Sequence, residues 1–398
     1  HSDAHTADED TQYYFDVRHP VLAEALDRFA QFFLGPLFTP SATARELNAI
    51  ESEHAKNLQS DAWRLQEIGR WLARRDHPYH KFGTGSLATL RDVPERLVRL
   101  ELRAAAADGG VAVTTSLTAS YRPGLTIRDA LVRFHMEHYS SSRMRLVVLG
   151  RETLDELEVL VAPLFGGVQR RSDPPPADHG HPYGAAQLCR RVQLAPVRNL
   201  RILSLQWPLP PLQPLWSNKP QRFVGHLIGH ESKGSIFSLL RACGWVESLS
   251  AGEGHGARSY STFEVNMVLT QAGDEHVDEI ARLVFEYITL LRSAPPERWV
   301  WEECRKLGEL GFRFAEPMEP CGAVGHLASA LDYFPPEHVM SASFIFGDFE
   351  PAEIVAILSD LTPRRVILTH QSPAFEGRLK LVEPRYGALY STEPLAEE

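Results

Sequence analysis

The same run of elements is written twice in this chain, and that repetition limits the fold more than composition does. In the first half, Thr11 to Val17 alternates as a strand and Val21 to Leu34 follows as an amphipathic helix. A turn through Pro36 and Pro40 then leads into a long second helix. In the second half, Ser261 to Leu269 reads as a strand and His276 to Leu291 as a helix. Pro295 and Pro296 turn the chain into a helix from Arg298 to Leu310. A strand–helix–helix unit that recurs in this way predicts two related α+β domains, and 398 residues give each of them a core of its own.

Punctuation between the repeats sets the expected boundaries. The first domain, 1–165, closes with a strand from Met144 to Leu149 and a helix from Leu154 to Leu164. Thr153 and Glu156 have the spacing of a capping box at that helix's start. Residues 166–187 are rich in Gly, Pro and Arg, with Pro174 to Pro176 at their middle, which is linker composition. The second domain, 188–398, opens with a strand from Arg201 to Trp207 ended by Pro208. It finishes with a strand from Val366 to Thr369 and a polar tail.

The stretch from Arg45 to Leu65 reads as one long helix. Glu46, Glu53, Asn57 and Arg64 share a stripe on it, which leaves Leu47, Ala62, Leu65 and Ile68 for packing. Thr43 and Glu46 also have capping-box spacing. Such a stripe of carboxylates either meets water or holds a metal, and periodicity alone favours water.

Composition excludes several classes. A net charge of -10 with no basic stripe argues against a nucleic-acid partner and suits neutral or basic peptides. No run of about 18 apolar residues offers a membrane span. Cys189, Cys243, Cys304 and Cys321 are widely spaced, form no C-x-x-C pair, and read as reduced thiols of a cytoplasmic protein.

Tyr13 to Val17, Glu24 to Phe33, Arg45 to Asn57 and His77 to Gly85 carry a resemblance, continued by Gly225 to Glu231, Gly234 to Ile236 and Gly244-Trp245. Together they resemble the pitrilysin/insulinase (M16) zinc metallopeptidases, in the branch of the insulin-degrading enzymes. The resemblance implies two homologous domains, each a mostly antiparallel sheet packed by helices. It also implies Zn2+ as cofactor and a peptide as substrate. Against the relatives, the stretch from Arg91 to Leu125 reads as an inserted surface loop or a mistranslated intron.

Enzymes of this family carry H-x-x-E-H, in which two histidines bind zinc and the glutamate activates water. None of the 17 histidines begins that motif. His135 and His138 are one residue too close and fall where the family has an ordinary helix. His226 and His230 have ligand spacing, but the glutamate that H-E-x-x-H requires is absent. Family spacing puts the motif, with its general-base glutamate, roughly 20 to 30 residues before His1. No catalytic residue is therefore expected within the chain.

What the resemblance assigns here is Glu53 as the third zinc ligand, with Glu46 orienting a histidine ligand from behind. Trp63 matches a position lining the pocket beside the scissile bond, although a core aromatic fits it equally. Asp3 to Thr6 match an edge strand that docks substrate backbone, and Asp3 and His5 depart from the pair usual there. Leu249, Ser250, Ala251, Gly252 and Glu253 match the strand that anchors the substrate N-terminus, with His226 and His230 nearby. Gly252 and Gly254 suit either a close backbone approach or a hairpin turn.

The function expected is the N-terminal part of a zinc metalloendopeptidase that degrades peptides, with this chain inactive by itself. Its partner is the C-terminal half of the same enzyme or an M16-like subunit. The alternative is a non-catalytic peptide-binding or scaffold subunit of the same superfamily.

Overall fold

The computed structural model describes residues 1–91, 126–171 and 177–395. The expected insertion at 91–125 lies outside them except for its first residue, and so does the proline run of 174–176.

Along the chain the hairpin β1 (Ser2–Thr6) and β2 (Thr11–Phe15) leads into α1 (Leu22–Leu34), α2 (Pro40–Asn57), α3 (Asp61–Leu72) and α4 (Leu87–Arg91). After these come α5 (Ile127–His138) and α6 (Leu154–Phe165), then β3 (Arg190–Leu194), β4 (Ile202–Leu209), α7 (Pro220–Ile228) and α8 (Ile236–Ala242). The hairpin β5 (Val246–Ala257) and β6 (Tyr260–Leu269) precedes α9 (Gln271–Asp274), α10 (Val277–Ser293), α11 (Arg298–Arg313), α12 (Pro320–Tyr333) and α13 (Pro351–Asp360). Strands β7 (Ile367–Gln371), β8 (Leu381–Val382) and β9 (Leu389–Pro394) end the described chain. The class is mixed α+β. The strand–helix–helix order recurs, as β2–α1–α2 and as β6–α10–α11, with the four-residue α9 between β6 and α10 in the second run.

The chain folds into two compact units whose segments alternate. One takes His1–Asp3, Tyr13–Asn57 and Gly83–Pro176; the other takes Ala4–Gln12, Leu58–Phe82 and Ala177–Glu398. In the first unit α1 packs on α6 through an aromatic cluster in which Phe29 meets Phe15, Phe33 and Phe165 at 4.9, 5.3 and 6.3 Å. Leu26 and Ala30 form its buried stripe at a spacing of four, one turn apart. Helix α2 lies against α4 and α5.

The second unit is built on a seven-stranded sheet of order β5-β6-β4-β7-β3-β9-β8. Its pairs are antiparallel except β3 with β7. Alternation on β4 sends Leu203, Leu205, Trp207 and Leu209 into the core, while Ser204 and Gln206 on the other face bond Asn266 and Glu264 of β6. Helices α7, α10 and α13 cover the apolar face with Phe223, Val224, Ile280, Val284, Ile288, Ile354 and Ile357. At about 1.5–3 kcal/mol for each fully buried large apolar side chain, this cluster is the main stabilising mass of the unit.

Several expectations are corrected. The stretch from Arg45 to Leu65 is two helices: α2 stops at Asn57 and α3 starts at Asp61, so Arg64 does not continue the stripe of Glu46 and Glu53. Thr43 is not a cap. The helix begins three residues earlier, at Pro40, where proline's missing N–H is harmless, and Thr39 Oγ1 accepts the Ala42 N–H. Met144 to Leu149 forms no strand. Strand β4 runs through Pro208 to Leu209, because β7 pairs with it only as far as Gln206 and proline there interrupts no ladder on that side. The expected polar tail contains β9, which pairs with β3 from Tyr390 to Pro394. At Thr153 the capping box is present in full.

Part of the proline-rich stretch is packed rather than free. Tyr183 is buried in the second unit and donates its hydroxyl to the Gly69 carbonyl, and Arg74 N–H donates to Pro182 O. All four cysteines are free thiols; Cys304 is buried and Cys243 exposed.

Candidate functional site

Helix α2 presents two carboxylates to solvent. Glu46 and Glu53 are both exposed and, seven residues apart, lie on one face. Glu51, on a different face, is turned inward, its Oε2 accepting the Leu87 N–H at 2.6 Å at the start of α4. Among the described residues Glu53 has neither a hydrogen-bond nor an ion-pair partner, so its carboxylate is open to an external group.

A zinc centre with an open position takes three protein ligands. Among the described residues, no set of three His, Cys, Asp or Glu ligand atoms close enough to share one ion includes Glu53. One carboxylate does not hold zinc, so the described donor set does not fit the metal by itself.

Asp3 and His5 sit on β1, where every residue is exposed, and two-residue spacing puts them on the same face of the strand. Trp63 lies on α3, 38 % exposed, on the same stripe as Glu67 and Arg70, four and seven residues further on. At that exposure the ring is not fully buried. His135 is buried on α5 with its ring against Phe38 and Tyr139, and the neighbouring His138 packs on Phe134.

In the second unit the expected anchoring residues converge. A cavity of about 650 Å³ is lined by His226 and His230, by Leu249 to Glu253, and by Arg222, Gly225 and Gly229. Its floor is the outermost strand β5, and its wall is α7 with the residues just beyond that helix. A Cβ on Gly225 would stand 2.8 Å from Ala251 O and 3.1 Å from Gly252 Cα, so this glycine lets the helix touch the strand backbone to backbone.

The two imidazoles meet edge to face, 5.2 Å between centroids. Ser232 N–H donates to His230 Nδ1 at 3.1 Å, and Gln221 Nε2 donates to Glu253 Oε2 at 3.1 Å. Burial pushes His226 below the ordinary histidine range; neighbouring His230 adds to the push and Glu303 opposes it. Arg222, one turn before His226 on α7, was not anticipated as part of the site. Helical spacing from His226 was the signal that marked it.

The turn between β1 and β2 is pinned within the second unit. Asp8 pairs with Arg70 and, at 2.8 Å, with His255 Nε2, while Glu9 accepts the Arg258 N–H at 2.8 Å. Burial pushes the Asp8 carboxyl up, but the bonds from His255 and Arg70 outweigh it and hold it at about 2.

Comparison with known proteins bears on the family and the fold. Residues 1–76 match the profile described as insulinase (peptidase family M16), residues 126–307 that of the peptidase M16 inactive domain, and residues 312–398 that of the middle or third domain of peptidase M16. The chain is 38 % identical to the insulin-degrading enzyme of Homo sapiens over 397 residues, covering 100 % of this chain and 36 % of that one. It is 37 % identical to the insulin-degrading enzyme of Drosophila melanogaster, covering 98 % and 37 %. With the A-factor-processing enzyme of Saccharomyces cerevisiae it shares 33 % identity, covering 98 % and 35 %. The crystal structure of pitrilysin superposes with a TM-score of 0.88 at 23 % identity, covering 99 % of this chain and 39 % of that one. The chain belongs to the M16, or insulinase, family of peptidases. It spans little more than a third of the length of these relatives.

Proposed function

We propose that the chain is the N-terminal part of a zinc metalloendopeptidase that degrades peptides, and that it cleaves nothing by itself. The observation that carries this reading is Glu53, exposed and without a partner among the described residues, on α2 where the family resemblance assigns the third zinc ligand. The remaining ligands and the general base belong to an H-x-x-E-H that this sequence does not contain. Zinc, when bound by the complete set, supplies Lewis-acid polarisation and an activated water.

The chain's own contribution is to hold the peptide. An extended peptide adds to a strand edge through main-chain bonds, and β1, carrying Asp3 and His5, offers one such surface. The cavity beside β5 offers a second, where His226, His230 and Glu253 meet the end of the peptide, and Trp63 presents an exposed aromatic face. Support comes from the convergence of the cavity residues and from relatives named for peptide degradation or processing.

The test uses the 398-residue chain and a version extended to include the motif and the C-terminal half. The dialysed chain is expected to contain no stoichiometric zinc and to leave a fluorogenic peptide intact. The extended protein is expected to bind zinc and cleave, and Glu53→Gln in it to lose both. Stoichiometric zinc in the dialysed 398-residue chain, or full activity of the extended Glu53→Gln variant, overturns the reading.

A further inference from the structure

A second cavity, of about 420 Å³, lies on the helix-bearing face of the large sheet, at the end of the sheet opposite to β5. Pockets for small molecules run from about 300 to 1,000 Å³, so the volume suits a compact ligand. Its floor is set by strand register. Gln193 of β3 stands opposite His370 of β7 and Ser391 of β9, so the three side chains share one face. Ser391 Oγ donates to Gln193 Oε1 at 3.0 Å, which leaves the Gln193 amide N–H groups as donors toward the cavity.

The opposite wall is the turn after β7, and it is fixed in place. His370 Nε2 meets Asp274 Oδ1 at 2.7 Å, and Ser372 Oγ donates to Asp274 Oδ2 at 2.5 Å. Phe375 packs edge-on against the His370 ring, 4.8 Å between centroids. Gly377 then takes the left-handed conformation, at φ 71°, and reverses the chain. Past that reversal Arg378, Leu379 and Lys380 line the cavity.

What sets this cavity apart is opposite charge that does not pair. Arg378 and Lys380 stand on the turn, and Glu393 stands on β9, two residues beyond Ser391 and so on the same face. All three are exposed, and among the described residues none of their charged groups has a hydrogen-bond or ion-pair partner. Charges of both signs border one cavity and leave the space between them open.

We propose that this cavity binds a small zwitterion of dipeptide size with an apolar side chain. The carboxylate of such a ligand goes to Arg378 and Lys380, its ammonium to Glu393, and its peptide carbonyl to the Gln193 amide. Its side chain packs on Phe375 and Leu379. A ligand of one sign satisfies one side and meets repulsion at the other, whereas a dipole is held at both ends by charge-assisted bonds. The inference rests neither on the proposed peptidase function nor on the cavity beside β5, since every group it uses belongs to β3, β9 and the turn after β7.

The experiment is a ligand-observed NMR titration of the 398-residue chain with the dipeptide Leu-Leu, its N-acetyl form and its C-terminal amide. Each blocked form is expected to bind at least about tenfold more weakly than Leu-Leu, the loss of one charge-assisted contact. Glu393→Gln is expected to erase the difference between Leu-Leu and the acetylated form while keeping that with the amide. The double variant Arg378→Gln, Lys380→Gln is expected to do the reverse. Near-UV circular dichroism verifies that each variant is folded. No saturation transfer to Leu-Leu at millimolar concentration, or blocked forms that bind as well as Leu-Leu, overturns the inference. So does a selectivity that survives both variants, which would put the zwitterion elsewhere on the chain.

Discussion

At the scale of single residues, stability and binding draw on different side chains. Glu53 is exposed and has no partner among the described residues, so its replacement by Gln is expected to change stability by less than about 0.5 kcal/mol, as for surface positions generally, while removing the carboxylate proposed as a zinc ligand. Acid stability belongs instead to the buried groups around the hairpin turn. Burial depresses His181 to about 4, although its Nε2 bonds the Ser261 carbonyl. The unfolded chain therefore takes up that proton first, and stability falls as pH drops from about 6.5 to 4. Asp8, held at about 2, contributes stability that is complete above about 4 and is lost as pH falls toward 2. Urea midpoints measured from pH 7 to 2 are expected to show two successive losses. His181→Gln should flatten the first and Asp8→Asn the second; a single loss unchanged by either variant would refute the assignment. None of this was legible in the sequence, because Asp8, Arg70 and His255 are far apart in the chain and meet only through the fold. Glu53 could be put forward as a candidate from the sequence because the family resemblance around it is local and continuous.

At the scale of elements, what the sequence revealed was what depends on near neighbours. Helices α1, α10 and α11 follow from apolar spacing, and α6 from the Thr153 box. The break after Asn57 was missed because Leu58, Gln59 and Ser60 are all compatible with a helix. What ends α2 is the restart at Asp61, whose carboxylate accepts the N–H groups of Val197 and Arg198. Strand β9 was missed because Leu389 to Pro394 alternates weakly and earns its place from β3, whereas Met144 to Leu149 has strand-like residues and no strand. The seating of α7 on β5 gives this scale its own test. Gly225→Ala would press a methyl against Ala251 O, and the expected cost is about 1–3 kcal/mol with weaker peptide binding, read from urea midpoints and anisotropy. An unchanged midpoint would mean that the helix has room to shift.

At the scale of the whole molecule, the two units share the chain by alternation, so the second is not a continuous piece of sequence. Residues 4–12 and 58–82 give it Asp8, Asp61, Glu67 and Arg70. Glu67 is 3 % exposed and pairs with Arg385; burial raises its carboxyl, against the pull of Arg385. A fragment 177–398 keeps Arg385 and loses Glu67, and removing one partner of a buried pair costs about 3–5 kcal/mol. Such a fragment is expected to lack a cooperative calorimetric transition, or to melt well below the full chain; a transition matching that of the full chain would show these segments to be dispensable. The alternation also has a consequence during synthesis. Strand β9 lies between β3 and β8, so the sheet closes only after residue 394 has been made. At about 5–20 residues per second, the segment 4–12 waits roughly twenty seconds to more than a minute for its final surroundings. A nascent chain held that long without its counterpart is a natural client for chaperones on the ribosome.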